Sequence, residues 1–243
     1  MNNLPIDVIY EDNHLIVVNK RSGDIVQGDK TGDMPLSDFV KAYIKKKHNK
    51  PGDVYLGTVH RLDRPTTGIV LFAKTSKALT RMNKMFANKA VEGTTIIKKS
   101  YWAITEQKPK NKKGTLIDYL RKNEKQNKSY AFEKEVNGSK RAELDYVIKG
   151  SGDKYHFIEV DLKTGRHHQI RAQLSNIGCI IKGDLKYGAK RSNKDGSIHL
   201  HARLLEFIHP VKQELVSIVA PVPNDALWKA FEKIKTNTRP LRF

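Results

Sequence analysis

The stretch His60-Arg61-Leu62-Asp63-Arg64-Pro65-Thr66-Thr67-Gly68 sets one carboxylate between two arginines and ahead of a Thr-Thr-Gly turn. Cations on either side favour the ionised form of Asp63, which suits a nucleophile or a base better than an acid. The plainer alternative is a surface ion pair, the fate of most aspartates among arginines. A second cluster is Leu162-Lys163-Thr164-Gly165-Arg166-His167-His168-Gln169-Ile170-Arg171. It reads as a strand end, a Thr-Gly turn and a helix that begins with Arg166. A cation at that end works against the helix dipole, and a nearby carboxylate or phosphate would repair the mismatch. Arg166 is therefore a reasonable partner for Asp63, with a solvent-facing arginine as the alternative. In a third cluster, Lys98-Lys99-Ser100-Tyr101-Trp102-Ala103-Ile104, alternation sends Tyr101 and Trp102 to opposite faces of a strand. One of the two must be core. The other can stack on a base while the lysines hold phosphates, and spacing does not choose between them.

Other chemistries find less support. His199-x-His201 would share a strand face and could hold a metal, but neither an HExxH nor a Cys/His zinc spacing accompanies the pair. Solvated or phosphate-facing histidines are the expectation, and no metal site is predicted. Neither GxGxxG nor GxxxxGK[ST] occurs, so the sequence makes no case for a nucleotide cofactor. The single cysteine, Cys179, excludes an intramolecular disulfide and any cysteine-based zinc cluster. Its place in the apolar run Ile177 to Ile181 predicts a buried, inert thiol.

The elements that must position these residues can be read from periodicity. Val8–Tyr10 and Leu15–Asn19 flank Glu11-Asp12-Asn13-His14 as a hairpin would. Leu36, Phe39, Val40, Tyr43 and Ile44 fall at helical spacing, with Lys41, Lys45, Lys46 and Lys47 largely on the other face. Ile69 to Lys74 reads as a buried strand directly behind the Asp63 loop, and Leu79, Met82 and Phe86 mark a helix capped by Thr75 or Ser76. Strands are expected at Ser100–Thr105, Tyr130–Val136, Ala142–Ile148, Tyr155–Leu162, Ser197–Ile208 and Leu215–Ala220. One helix should end at Gly178 and another should follow Pro223. Lys108–Lys128, basic and polar, reads as an exposed excursion. Adjacent strands broken by a few helices predict an α+β fold with a mainly antiparallel sheet. No Pro/Gly/Ser-rich linker divides the chain, so a single domain over 1–243 is expected.

Charge points to the partner. Lys and Arg number 45 against 26 Asp and Glu, a net +19, which implies a polyanion, with nucleic acid ahead of an anionic membrane surface. No stretch approaches the roughly 18 apolar residues of a membrane span, and the N-terminal residues lack the apolar run of a signal peptide. A cytoplasmic protein with no obligatory protein partner is the expectation.

The ordered motifs resemble the RluA-like RNA pseudouridine synthases. His60 to Gly68 matches that family's HRLD-x-x-[ST]-[ST]-G, and Ile9 to Gly23 looks like its opening YEDDxLIVVNKPSG, with Arg21 in place of the proline. Lys99-Ser100-Tyr101-Trp102-Ala103 is similar to K-x-Y-x-A, and Thr164 to Arg171 to TGR-x-HQIR. Gly183-Asp184-Leu185-Lys186-Tyr187-Gly188 resembles GD-x-x-YG, and Leu200-His201-Ala202 with His209-Pro210 resembles LHA…HP. The likeness covers about residues 8 to 220. It implies a pseudouridine synthase catalytic fold of the type without an N-terminal RNA-binding domain, acting on tRNA or rRNA without a cofactor. It also implies that Asp63 is catalytic, that Tyr101 stacks on the target uracil and that Arg166 pairs with Asp63. Arg61 would help displace the base, and Leu162 would pack beneath Tyr101. The rival reading is a catalytically inactive RNA-binding module or RNA chaperone.

Overall fold

The computed structural model describes residues 6–29, 31–87 and 97–237, so Met1 to Pro5 lie outside the described residues. The chain divides into two compact units, Met1–Lys98 with Ala202–Pro221 and Lys99–His201 with Val222–Phe243.

In the first unit, β1 (Val8–Glu11) and β2 (Leu15–Lys20) form the expected hairpin. Asp12 closes its turn by accepting the backbone N–H groups of His14 and Leu15, each at 2.8 Å. The strand order is β1-β2-β4-β10, with the two-residue β3 (Gly57–Thr58) on β4 and β11 (Leu215–Val219) on β10 (Leu200–Ile208). Every residue of β4 (Thr67–Ala73) is buried, as its unbroken apolar run predicts. Helix α1 (Leu36–Lys47) lays Leu36, Val40 and Ile44 against Ile16, Val18, Val70 and Phe72, while Lys45, Lys46 and Lys47 crowd its last turn. Helix α2 (Ser76–Phe86) is capped by Thr75, whose hydroxyl accepts the Ala78 N–H at 3.2 Å.

The second unit carries the order β5-β9-β8-β6-β7, antiparallel at each step: β5 (Lys98–Thr105), β9 (His156–Leu162), β8 (Lys140–Ser151), β6 (Lys113–Asn123) and β7 (Lys128–Phe132). Helix α3 (Gln169–Asn176) packs Ile170 and Leu174 on Ala103, Leu144, Ile158 and Val160. Helix α4 (Ala226–Asn237) packs Trp228 and Phe231 on Trp102, Ile104 and Phe157, the opposite face of the same strands. The fold is α+β with a mostly antiparallel sheet.

Two expectations are corrected. Lys108–Lys128 is no excursion, because its centre is the 11-residue strand β6, paired on both sides. The alternation there is hidden by a buried polar residue. Asp118 sits on the covered face between Leu116 and Leu120 and is satisfied by Gln173 at 2.7 Å and Asn176 at 3.1 Å. The strand expected over Tyr130–Val136 stops at Phe132, and Val136 instead closes a turn with Ser139.

Candidate active site

Asp63 lies, half-buried, on the loop that joins β3 to β4. Its carbonyl accepts the Thr66 N–H at 3.0 Å, which forms the turn, and Leu62 on one side packs into the α1 core. His60 is held twice: its Nε2 accepts the Leu71 N–H at 3.1 Å, and its ring stacks on Phe86 at 5.0 Å. Gly68 explains the last letter of the Thr-Thr-Gly turn. Its φ is +108°, and a Cβ there would stand 2.3 Å from the Ala202 carbonyl oxygen.

Beneath this loop lies a residue that the sequence reading did not single out. Lys20, fully buried, donates to the carbonyls of Arg21 at 2.8 Å, Arg64 at 3.0 Å and Thr66 at 2.9 Å, the last two in the turn that follows Asp63. Burial pushes its ammonium down to about 8, against the pull of the Asp24 and Asp63 carboxylates. The available signal was a lysine closing a strand that opens on the apolar run Leu15 to Val18. Arg64, one of the two flanking arginines, turns outward to Asp33 and to Thr31. Arg61 is exposed.

On β5 the structure separates the two aromatics. Trp102 is core, with its ring 4.3 Å from Phe231 and its N–H donating to Glu159 at 3.2 Å. Tyr101 is half-buried on the opposite face. It stands across from Val160, with Leu162 two residues further along the same face, and both Tyr101 and Leu162 pack against the α3 cluster. Lys99 shares that face. Burial lowers its ammonium, whose Nζ lies 3.9 Å from where a Cβ on Gly165 would sit.

Helix α3 starts at Gln169, three residues later than expected, so Arg166 is not at a helix N-terminus and the dipole argument does not apply to it. Arg166 occupies an exposed turn, with Nε donating to the Arg141 carbonyl at 2.9 Å and its N–H donating to Gln169 Oε1 at 3.0 Å. Gln169 also accepts from Thr164 and donates to the Glu143 carbonyl, which fastens the Thr-Gly-Arg turn to β8. Arg61 and Asp63 belong to the first unit, and Tyr101, Leu162 and Arg166 to the second. The Asp63–Arg166 pair thus stands as an expectation of the resemblance.

A family model described as RNA pseudouridylate synthase matches residues 14–176, about two thirds of the chain. The chain belongs to that family. It is 30% identical over 225 residues to an RNA pseudouridine synthase of Bacillus subtilis, YhcT, covering 90% of this chain and 70% of that one. It is 29% identical over 236 residues to the ribosomal large subunit pseudouridine synthase D of Xylella fastidiosa, covering 91% and 67%. Among solved structures, human RNA pseudouridylate synthase domain containing 4 superposes with a TM-score of 0.74 at 22% identity, over 94% of this chain and 93% of that one, a likeness of fold. The RluA-like resemblance is therefore correct. The chain is an RNA-modifying isomerase.

In this pseudouridine synthase, parts of two further motifs are bonded to each other. The buried Arg171 forks onto Asp184 with bonds of 2.7 and 2.8 Å and gives its third contact to His168 Nε2 at 3.0 Å. His168, left-handed at φ 54°, meets the Tyr187 hydroxyl through Nδ1 at 3.1 Å. Burial and the adjacent Arg171 push His168 down to about 2, so it is neutral, and Nδ1 carries the proton. The TGR-x-HQIR and GD-x-x-YG segments are thus bonded to each other.

The expectation of solvated or phosphate-facing histidines is corrected as well: His199 and His201 are both buried, and so are His168 and His209. His199 reaches Asn193 at 2.9 Å and Asp225 at 3.2 Å, with its ring on Trp228. His209 accepts two backbone N–H groups at Nδ1 and points Nε2 at Asp12, 2.8 Å away. Among the described residues, no group of three or more His, Cys, Asp or Glu could hold a metal ion, and no helix is long and apolar enough to cross a membrane. Cys179 is buried, which raises its thiol to about 11.

Proposed function

We propose that this enzyme converts one or a few uridines of a structured tRNA or rRNA to pseudouridine, with Asp63 as its catalytic carboxylate. The observation that carries the reading is the pinned loop: Asp63 is half-buried at the start of a turn whose Arg64 and Thr66 carbonyls are bonded by the buried ammonium of Lys20. A carboxylate so held is preorganised for reaction.

The chemistry needs only one such group. A glycoside hydrolase uses two carboxylates because water must be activated as well as the leaving group protonated. Here the bond from ribose C1′ to uracil N1 breaks, the retained base turns, and C5 joins C1′. The C5 proton is lost and N1 gains one, so nothing is consumed and the RNA keeps its mass. Asp63 can attack C1′ or remove the ribose 2′ proton, and both routes begin from the ionised carboxylate. No cofactor takes part in either.

A stacked target must be extruded, at a cost of a few kcal/mol. In this reading Arg61 helps displace it, Tyr101 stacks on the flipped uracil for about 1–3 kcal/mol, Leu162 supports Tyr101, and Arg166 pairs with Asp63. The chain works as a single catalytic domain in the cytoplasm, needs no protein partner, and takes phosphate contacts from Lys41–Lys47.

The test is pseudouridine mapping, by carbodiimide labelling and primer extension, on tRNA and rRNA from cells that carry only Asp63→Asn. Loss of one or a few sites relative to wild type is the expected result and identifies the substrate. Persistence of every site while the purified variant binds RNA would favour the inactive binding module.

A further inference from the structure

The half of the β8-β6-β7 sheet that α4 leaves uncovered carries aromatic rings and guanidinium groups in alternation. Even-numbered residues of β6 and β8, such as Leu120 and Ala142, are buried with Ala172 of α3. The odd-numbered ones point the other way. Register puts Tyr119 directly between Phe132 of β7 and Arg141 of β8, and puts Arg121 beside Tyr130 in the next row. The Arg121 guanidinium lies over the Phe132 ring at 5.2 Å, and the Lys128 ammonium over the Tyr130 ring at 5.2 Å. Tyr130 is 40% exposed, and Arg121 and Arg141 are exposed. Helix α4 covers the same sheet face only at its other end, over Trp102 and Phe157.

We infer that this face is a stacking platform for unpaired RNA flanking the target, an inference that rests on the reading of the chain as an RNA-acting enzyme. Exposed rings and guanidinium planes offer flat surfaces to bases that are not already stacked, whereas a duplex hides those base faces. An open sheet face bearing aromatics in this way accommodates two or three bases. Charge favours the same occupant. The two carboxylates that β8 presents on this face are each ion-paired, Glu143 with Arg141 at 2.7 Å and Asp145 with Lys163 at 3.1 Å, and exposed Lys125 lies in the β6–β7 turn beside it. The platform also adjoins the Thr-Gly-Arg turn, since the Arg141 carbonyl holds Arg166. Tyr101 is on the opposite sheet face, so the platform takes neighbouring nucleotides and not the target base.

The experiment is fluorescence anisotropy with a labelled short oligouridylate and, as control, a short RNA duplex at the same salt. The double variant Arg121→Ala, Tyr130→Ala should bind the single strand about tenfold or more weakly with little change toward the duplex. Tyr130→Trp should retain affinity. Unchanged single-strand affinity in a double variant that melts like wild type would overturn the platform. Equal losses toward strand and duplex would also overturn it, reducing the face to charge alone. The Asp63→Asn protein separates the two ideas: it should still bind the oligouridylate, so the platform can fail while pseudouridine mapping succeeds, and the reverse.

Discussion

A fully buried lysine bonded to three backbone carbonyls is an uncommon use of that side chain. Lys20→Met keeps the length and removes every donor, leaving the Arg21, Arg64 and Thr66 carbonyls without this partner. Each such orphan costs about 1–3 kcal/mol when buried. The variant should be less stable and at least tenfold slower in single turnover, since the loop that carries Asp63 loses its underpinning. The pH dependence has a distinctive sign. Lys20 titrates near 8 in the fold and at 10.5 as a free side chain, so between those values the unfolded chain binds more protons and this group makes stability rise with pH. Over the same range the neutral amine has one donor fewer, and activity should fall. Rate and urea-midpoint profiles that move together above about pH 8, or a Lys20→Met profile with the same alkaline limb, would count against this role. The motif around Asp63 was readable from spacing, but what holds it was not. Lys20 and Thr66 are 46 positions apart, and one sequence does not reveal such a pairing.

Glu11, where β1 ends, joins elements that sequence reading found one at a time. It meets Lys47 at the end of α1 and Lys74 just past β4, both at 2.7 Å, and His48 at 2.8 Å. Burial alone would raise its carboxyl, but the bonds from Lys47, Lys74 and His48 win and hold it at about 2. A depressed carboxylate contributes stability that is fully present above its unfolded value of 4.5 and is lost as pH falls toward 2. Urea midpoints should therefore drop more steeply for wild type than for Glu11→Gln over that window, and parallel curves would exclude the role. Helices and apolar strands were the legible elements, α1 and β4 above all, because their periodicity is set by the residues themselves. What escaped reading was decided by partners. β6 was obscured by Asp118, which is buried only because Gln173 and Asn176 satisfy it. The start of α3 was displaced because Gln169 turns back to hold the Arg166 N–H. The choice between Tyr101 and Trp102 waited on which face α4 covers.

At the scale of the molecule the excess of 19 positive charges makes RNA affinity a function of salt. Each phosphate contact adds about 0.7 (single strand) to 0.9 (duplex) to the slope of log affinity against log salt. Affinity for structured RNA is expected to fall at least about tenfold between 50 and 200 mM salt. A flat dependence would mean that the charge serves solubility and that recognition is carried by stacking and hydrogen bonds.

Because Tyr101 and Trp102 are consecutive, β5 has no tolerance for a one-residue error. Sliding it by a single position against β9 would bring the indole to the face of Leu162 and send the phenol into the α4 core. Such a molecule would keep most of its backbone pairing, so it could escape quality control that senses unfolding and still lack the proposed base-stacking ring. The indole N–H to Glu159 bond forms between residues directly opposite in the native pairing. It therefore acts as a register pin, and a single-residue insertion or deletion within β5 should be selected against more strongly than most substitutions there.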